Sequence, residues 1–316
     1  MTAVQERTSE GVPAQLPPVS LEVGSRARRA AGDLTGLLLT APALAALACV
    51  FVAPVAYAFY LGFTNLTLTG PQSVHYNFTG SANLVAMAHD ALFWHSLAVT
   101  GIYIGASAVF GVTVAAMVLA LWMDRAAKGV SAVVGGVTIL AWIMPAASGA
   151  FLWYGFSTQG GTLSRLFGGA PLFSAPLVIV SAANVWSTSG FAMLVLRGGL
   201  RAVPPEVLEA ARMESASGWQ IFWKVTVPIM RYTLMTTVLI VVLLSLGNFT
   251  LIYVMTQGGP GNATAILPIY SYLEAFSFNR LGYGGLIGNV VVVLGAVGAY
   301  GYVRSVRRRD RDFESA

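Results

Sequence analysis

RGGLRAVPPEVLEAARMESASGWQIFWKVTVPIMRY, residues Arg197–Tyr232, is the one long polar interval lying between two membrane-length apolar runs on the positively charged side of the chain. Its local chemistry reads as two short helices joined by a turn. Pro204 and Pro205 suit a helix start, and the carboxylates of Glu206 and Glu209 sit near the positive end of that helix's dipole. Ser217 and Gly218 break the first helix. Ser217 then caps a second one, on which Trp219, Phe222 and Trp223 recur at i, i+3 and i+4 and share one face until Pro228 ends it. An apolar stripe this bulky on a water-side loop needs cover, from lipid headgroups or from another protein.

The sequence on either side of this interval belongs to a membrane. A chain of 316 residues with 56% hydrophobic and 10% charged content, and a mean hydropathy of +0.71, has the balance of an all-α polytopic membrane protein rather than a soluble domain. Six transmembrane helices are expected, at Leu34–Gly62, Ser96–Met123, Val130–Phe156, Pro176–Leu196, Thr233–Met255 and Gly284–Val303. Pro42 and Pro54 are expected to kink the first. The domain plan is a flexible cytoplasmic tail over residues 1–32, a six-helix transmembrane domain over 33–303 with its cytoplasmic loop at 197–232, and a basic cytoplasmic tail over 304–316. Of the 18 Lys and Arg, only Arg165 and Arg280 fall outside the segments assigned to the cytoplasm, so the positive-inside rule puts both termini there. Gly284 and Gly288 in the last span, and Gly101 and Gly105 in the second, have the GxxxG spacing that lets helices approach closely.

Several kinds of chemistry are disfavoured. No Asp, Glu, Lys, Arg or His lies inside the six expected spans, which argues against proton relays and ion coupling. Without a G-x-x-x-x-G-K-[ST] loop the chain cannot cradle ATP by that route, so any active transport draws its energy from a partner. No carboxylate pair, His cluster or Ser-His arrangement lies inside the spans to support an intramembrane enzyme, and His75, His89 and His95 lack metal-ligand spacing. Cys49 is the only cysteine, which excludes a disulfide framework. The net charge of +5 lies beside apolar runs, where topology explains it better than nucleic acid does.

At the opening stretch the chain resembles the permease subunits of bacterial ABC importers, whose cytoplasmic loop carries Glu-Ala-Ala, three residues, Gly, nine residues and Ile-x-Leu-Pro. That register falls on Glu209-Ala210-Ala211, Ser215 and Val225-Thr226-Val227-Pro228. Ser215 stands in the glycine position, with Gly218 close by to supply turn flexibility. A second resemblance, to carbohydrate-uptake permeases of the maltose-transporter type, runs from Phe249 and Tyr253 through Thr256-Gln257-Gly258-Gly259-Pro260 to Tyr270, Tyr272, Ala275, Phe276, Gly282 and Tyr283.

These resemblances imply a multi-pass protein of the bacterial cytoplasmic membrane and no cofactor on this chain, ATP and Mg being held by partner subunits. They also imply a second homologous permease subunit, two ATPase subunits, an extracytoplasmic solute-binding protein and surrounding lipid. The ATPase-coupling residues implied are Glu206, Glu209, Ala210, Ala211, Glu214, Ser215, Gly218, Phe222 and Pro228. By similarity, Thr188, Phe191, Gly247 and Asn248 lie where substrate is contacted in the maltose-type relative. Location within the spans adds Asn184, Ser187 and Ser245, whose polar groups can instead bond across helices or back to their own carbonyls. A membrane anchor that recruits a soluble partner without transport is the alternative. Which solute is carried is left open among disaccharides, polyols and glycerol-phosphate compounds.

Overall fold

The computed structural model describes residues 39–314, with side chains through 306. The expected 1–32 tail lies outside the described residues. Among those described, the chain is helical, with an isolated bridge between Thr64 and Phe78 as the one β-type pairing. The helices that frame the site are α1 (Leu39–Leu61), α2 (Ala91–Arg125), α3 (Lys128–Ile143), α4 (Ala146–Ser157), α5 (Pro176–Arg201), α6 (Pro205–Met213), α7 (Gly218–Ile229), α8 (Arg231–Leu246), α9 (Phe249–Thr256), α10 (Leu267–Tyr272) and α11 (Leu281–Glu314). Four of them are long and apolar enough to cross a membrane, or up to 6 spans exist if each bent pair counts as one.

Two expected spans are broken. The run Val130–Phe156 divides into α3 and α4, which turn by 106° about Met144 and Pro145. Pro145 has no N–H to donate and pushes Met144 out of the helical region, to ψ 133°, so the break has a local cause in the sequence. At ~1.5 Å per residue, the 16 residues of α3 rise only about 24 Å, less than a bilayer core of about 30 Å. The run Thr233–Met255 likewise divides at Gly247 and Asn248 into α8 and α9. Glycine has the weakest propensity after proline, and asparagine competes with the helix for its own backbone; Asn248 leaves it with ψ 48°.

The other elements follow local chemistry. α2 starts five residues before the expected Ser96, because Asp90 caps it by accepting from the amides of Leu92 (2.9 Å) and Phe93 (3.3 Å). π-helical turns at Ala48–Val52 and Phe222–Thr226 end two residues before Pro54 and Pro228, whose missing donors disturb the ladder there. α7 does not end at Pro228; it runs to Ile229, and at Met230 the chain turns by 74° into α8. Residues 256–283, between the fifth and sixth expected spans, are largely packed structure, with Ile266, Leu267, Ile269 and Tyr270 all buried in and beside α10.

α5 is the central element, with 44% of its apolar window buried against 17% for α11. It packs on α2, α3, α4 and α8. One apolar cluster joins Val99, Tyr103, Val180, Ala183 and Leu251, and another joins Val112, Met117, Met193, Leu196 and Val241. At the end of α5 nearest α6, Asp124 pairs with Arg197 (3.0 Å) and Arg201 (3.4 Å). Of the glycines expected at close approaches, Gly284 and Gly288 do meet the α10 region, at Ala275 and Ser271. Gly101 and Gly105 face open space, because their side of α2 packs on nothing within the described residues.

A polar cluster pins α2 to α10 and α11. The Asp90 carboxylate accepts from the hydroxyls of Tyr270 and Tyr283, besides the two amides it caps. Burial pushes this carboxyl up, but the four donated hydrogen bonds outweigh it and hold the group below the ordinary carboxylate range. A lowered folded value means the stabilisation is complete above the unfolded value of about 4 and is lost as pH falls through the folded one. Asp90→Ala is expected to lower stability by about 2–4 kcal/mol, through the lost cap and two stranded hydroxyls. Thermal unfolding from pH 7 to 3 should show the acid loss in wild type and a flatter profile in the variant.

Candidate functional site

The breaks in α3–α4 and α8–α9 face one another across α5 and leave a cavity of about 190 Å³. Trp142 and Met144 bring the end of α3, Trp186, Ser187 and Thr188 come from α5, and Gly247 and Asn248 form the break before α9. Two indole side chains and a few hydrogen-bonding groups in an otherwise apolar wall can hold a hydroxylated ring. The volume is below the roughly 300–1,000 Å³ of a closed small-molecule site, so these residues make part of an enclosure rather than the whole.

The expected solute-pathway residues fall into two groups. Ser187, Thr188, Gly247 and Asn248 line the cavity. Asn184 and Ser245 do not, being buried behind it with 0% exposure. Asn184 donates to Ser107 (3.0 Å) and Ser245 (2.9 Å) and accepts from Asn248 (3.1 Å) and, more distantly, Thr188 (3.4 Å). Phe191 also stays outside the lining; it packs on the ring of Trp142 with centroids 5.4 Å apart. Trp142 and Ser107 were missed as site residues, since neither helix carrying them showed a polar stripe in sequence.

Two larger depressions lie elsewhere. One of about 530 Å³ is walled by Phe151, Tyr154, Phe173 and Gln257, and one of about 480 Å³ runs along the Gly284, Gly285 and Gly288 face of α11. Gly247 is the one expected pathway residue that either of them shares.

The expected coupling stretch forms a helix-turn-helix between α5 and α8. Glu206, Glu209, Ala210 and Glu214 are exposed, and Ala211 is half-buried. The turn after α6 is a Schellman motif: Ala216 N–H reaches the Ala211 carbonyl at 3.2 Å and Ser215 N–H reaches that of Arg212 at 3.0 Å. Ser215 itself takes the left-handed conformation, φ 60°, so the turn is made by the residue in the glycine position and not by Gly218. Gly218 instead opens α7, which Ser217 and Gln220 cap reciprocally. The side chain of Ser215 is exposed, so Ser215→Gly removes left-handed strain without losing a contact and is expected to stabilise the turn by about 0.5–1 kcal/mol. Slower hydrogen exchange at the Ala216 amide would register the gain.

Trp219, Phe222 and Trp223 form a three-ring cluster with centroids 5.2–6.5 Å apart. Phe222 turns inward onto the Met230 core, whereas Trp219 is 72% exposed, Trp223 51% and Met213, across the turn, 86%. Pro228 is exposed at the end of α7. The turn thus presents exposed carboxylates and bulky apolar side chains together.

Broken apolar helices around a partly polar cavity, with a protruding amphipathic helix-turn-helix, define a multi-pass membrane transport subunit. Residues 107–311 match the family of binding-protein-dependent transport system inner membrane components, and the chain belongs to that family: it is a permease subunit of an ABC importer. It is 31% identical over 310 residues to the trehalose transport system permease protein SugA of Mycobacterium tuberculosis, covering 96% of this chain and 94% of that one. It is 28% identical over 293 residues to the sulfoquinovosyl glycerol transport system permease protein SmoG of Agrobacterium fabrum, covering 88% and 92%. Its fold is similar to a chain of the bacterial alginate ABC transporter solved in complex with alginate pentasaccharide-bound periplasmic protein. That match has a TM-score of 0.69 at 19% identity and covers 91% of this chain and 98% of that one.

Proposed function

We propose that this chain passes a sugar or sugar-like solute inward across the bacterial cytoplasmic membrane, as one of two homologous permease subunits driven by two ATPase subunits. The carrying observation is the cavity of about 190 Å³ at the paired helix breaks, which Trp142 and Trp186 line with aromatic side chains and Ser187, Thr188 and Asn248 with hydrogen-bonding ones. Its small volume supports a shared site, with the second permease supplying the opposite wall. Six spans with both termini cytoplasmic follow if α3–α4 counts as one span and α8–α9 as another, with α6 and α7 on the cytoplasmic side. The exposed group of Glu206, Glu209, Met213, Glu214, Trp219 and Trp223 is then the docking face for an ATPase, on which ATP and Mg are held. Trehalose and sulfoquinovosyl glycerol transport by the relatives supports the sugar class. Solute would arrive on an extracytoplasmic binding protein.

The test is uptake of labelled trehalose, maltose and glycerol by cells making the complete transporter, with and without this chain. Uptake of at least one that depends on this chain is the expected result. An assembly that forms and carries none of them supports the anchor reading instead.

A further inference from the structure

We infer that Asn184 is a positioning residue that sets which end of the Asn248 carboxamide faces the solute. The inference rests on the cavity read above as the solute site, and it assigns that site a hydrogen-bond acceptor at a defined atom. A carboxamide offers two N–H donors and an oxygen with two lone pairs, and all four capacities of Asn184 are taken up. Its Nδ2 reaches Ser107 Oγ at 3.0 Å and Ser245 Oγ at 2.9 Å, while its Oδ1 receives Asn248 Nδ2 at 3.1 Å and Thr188 Oγ1 at 3.4 Å.

The polarity of this network is determined at one end. Ser107 donates its single hydroxyl proton to the Tyr103 carbonyl, at 2.7 Å, inside the π-helical stretch Ile104–Val112 of α2. Toward Asn184, Ser107 therefore acts as acceptor, and the Asn184 nitrogen must lie on that side. The Asn184 oxygen then points at Asn248, which is obliged to answer with its nitrogen. The remaining face of Asn248 toward the cavity carries Oδ1, an acceptor suited to a solute hydroxyl or amine. Rotating Asn248 to offer its nitrogen instead would set two carbonyl oxygens about 3.1 Å apart in a buried place, which the low local polarity penalises. A hydrogen-bond chain anchored in α2 thus dictates the chemistry that the residue preceding α9 shows to the solute, and it explains why a fully buried polar side chain sits within α5.

Two measurements test this. The first needs no solute: the full chain is labelled with 15N-asparagine in lipid nanodiscs, and the Asn248 side-chain amide is assigned by its loss in Asn248→Leu. One of its two protons is expected to be protected from exchange in wild type and to exchange freely in Asn184→Leu. Free exchange of both protons in wild type overturns the inference. The second is a double-mutant cycle on uptake by the assembled transporter, using whichever of trehalose, maltose or glycerol wild type carries. Asn184→Leu and Asn248→Leu should each raise KM by about tenfold with a smaller change in maximal rate, and the double variant should be no worse than Asn248→Leu. Independent, multiplying effects overturn the positioning role, even if both residues matter. If wild type carries no probe while the amide is protected, the sugar reading fails and the orientation of Asn248 stands.

Discussion

Glu209→Lys is expected to abolish productive coupling, lowering uptake by about tenfold or more while the chain still inserts and folds. The carboxylate is exposed on α6, with no hydrogen bond or ion pair to another described residue, so reversing its charge disturbs nothing that holds the chain together. Away from such features a surface substitution changes stability by only about 0.5 kcal/mol. Against a partner surface the effect is of another size, since a like-charge contact at an interface costs several kcal/mol. Transport activity, membrane abundance and thermal unfolding of the variant, measured side by side, separate the two contributions. Normal uptake would remove Glu209 from the docking face, and a fall in uptake matched by a fall in abundance would make its role structural.

Gly190→Val is expected to lower stability by about 3 kcal/mol and to impair uptake with it. A Cβ at Gly190 would stand 2.4 Å from the carbonyl oxygen of Thr138 and 3.0 Å from the Cβ of Trp142. These atoms belong to the backbone and stem of α3, which cannot swing aside as a flexible side-chain tip can, so the helices must separate. Trp142 also walls the cavity, and displacing α3 moves that wall. Gly136→Val on the same helix is the control, because nothing lies within 4 Å of a Cβ there. Equal unfolding temperatures for the two variants would show that the contact between α3 and α5 is not tight.

The helix-turn-helix of α6 and α7 was the most legible part of the chain because its structure is local. Pro205 at the helix start, the Ser217 cap and the Glu209-Ala210-Ala211 register act over a few residues, so sequence spacing alone places them. Left-handed Ser215 was not legible, since nothing in its side chain asks for φ 60°; the Schellman bonds around it impose the conformation. The breaks at Pro145 and at Gly247 and Asn248 were legible in principle. Mean hydropathy over a span-length window averages across both, so each apolar run looks continuous although its helix stops part-way.

The sequence by itself determined that the chain lives in a membrane, which way its charges lean and where its polar helix-turn-helix lies. Each of these depends on composition or on neighbours within about one helical turn. Only the tertiary structure decided which polar side chains meet the cavity. Asn184 and Thr188 lie one turn apart on α5, yet the first is sealed behind the wall by Ser107 and Ser245 while the second lines it. A buried amide must find partners wherever neighbouring helices bring them, 77 and 61 residues away in this case, and no local pattern carries that information.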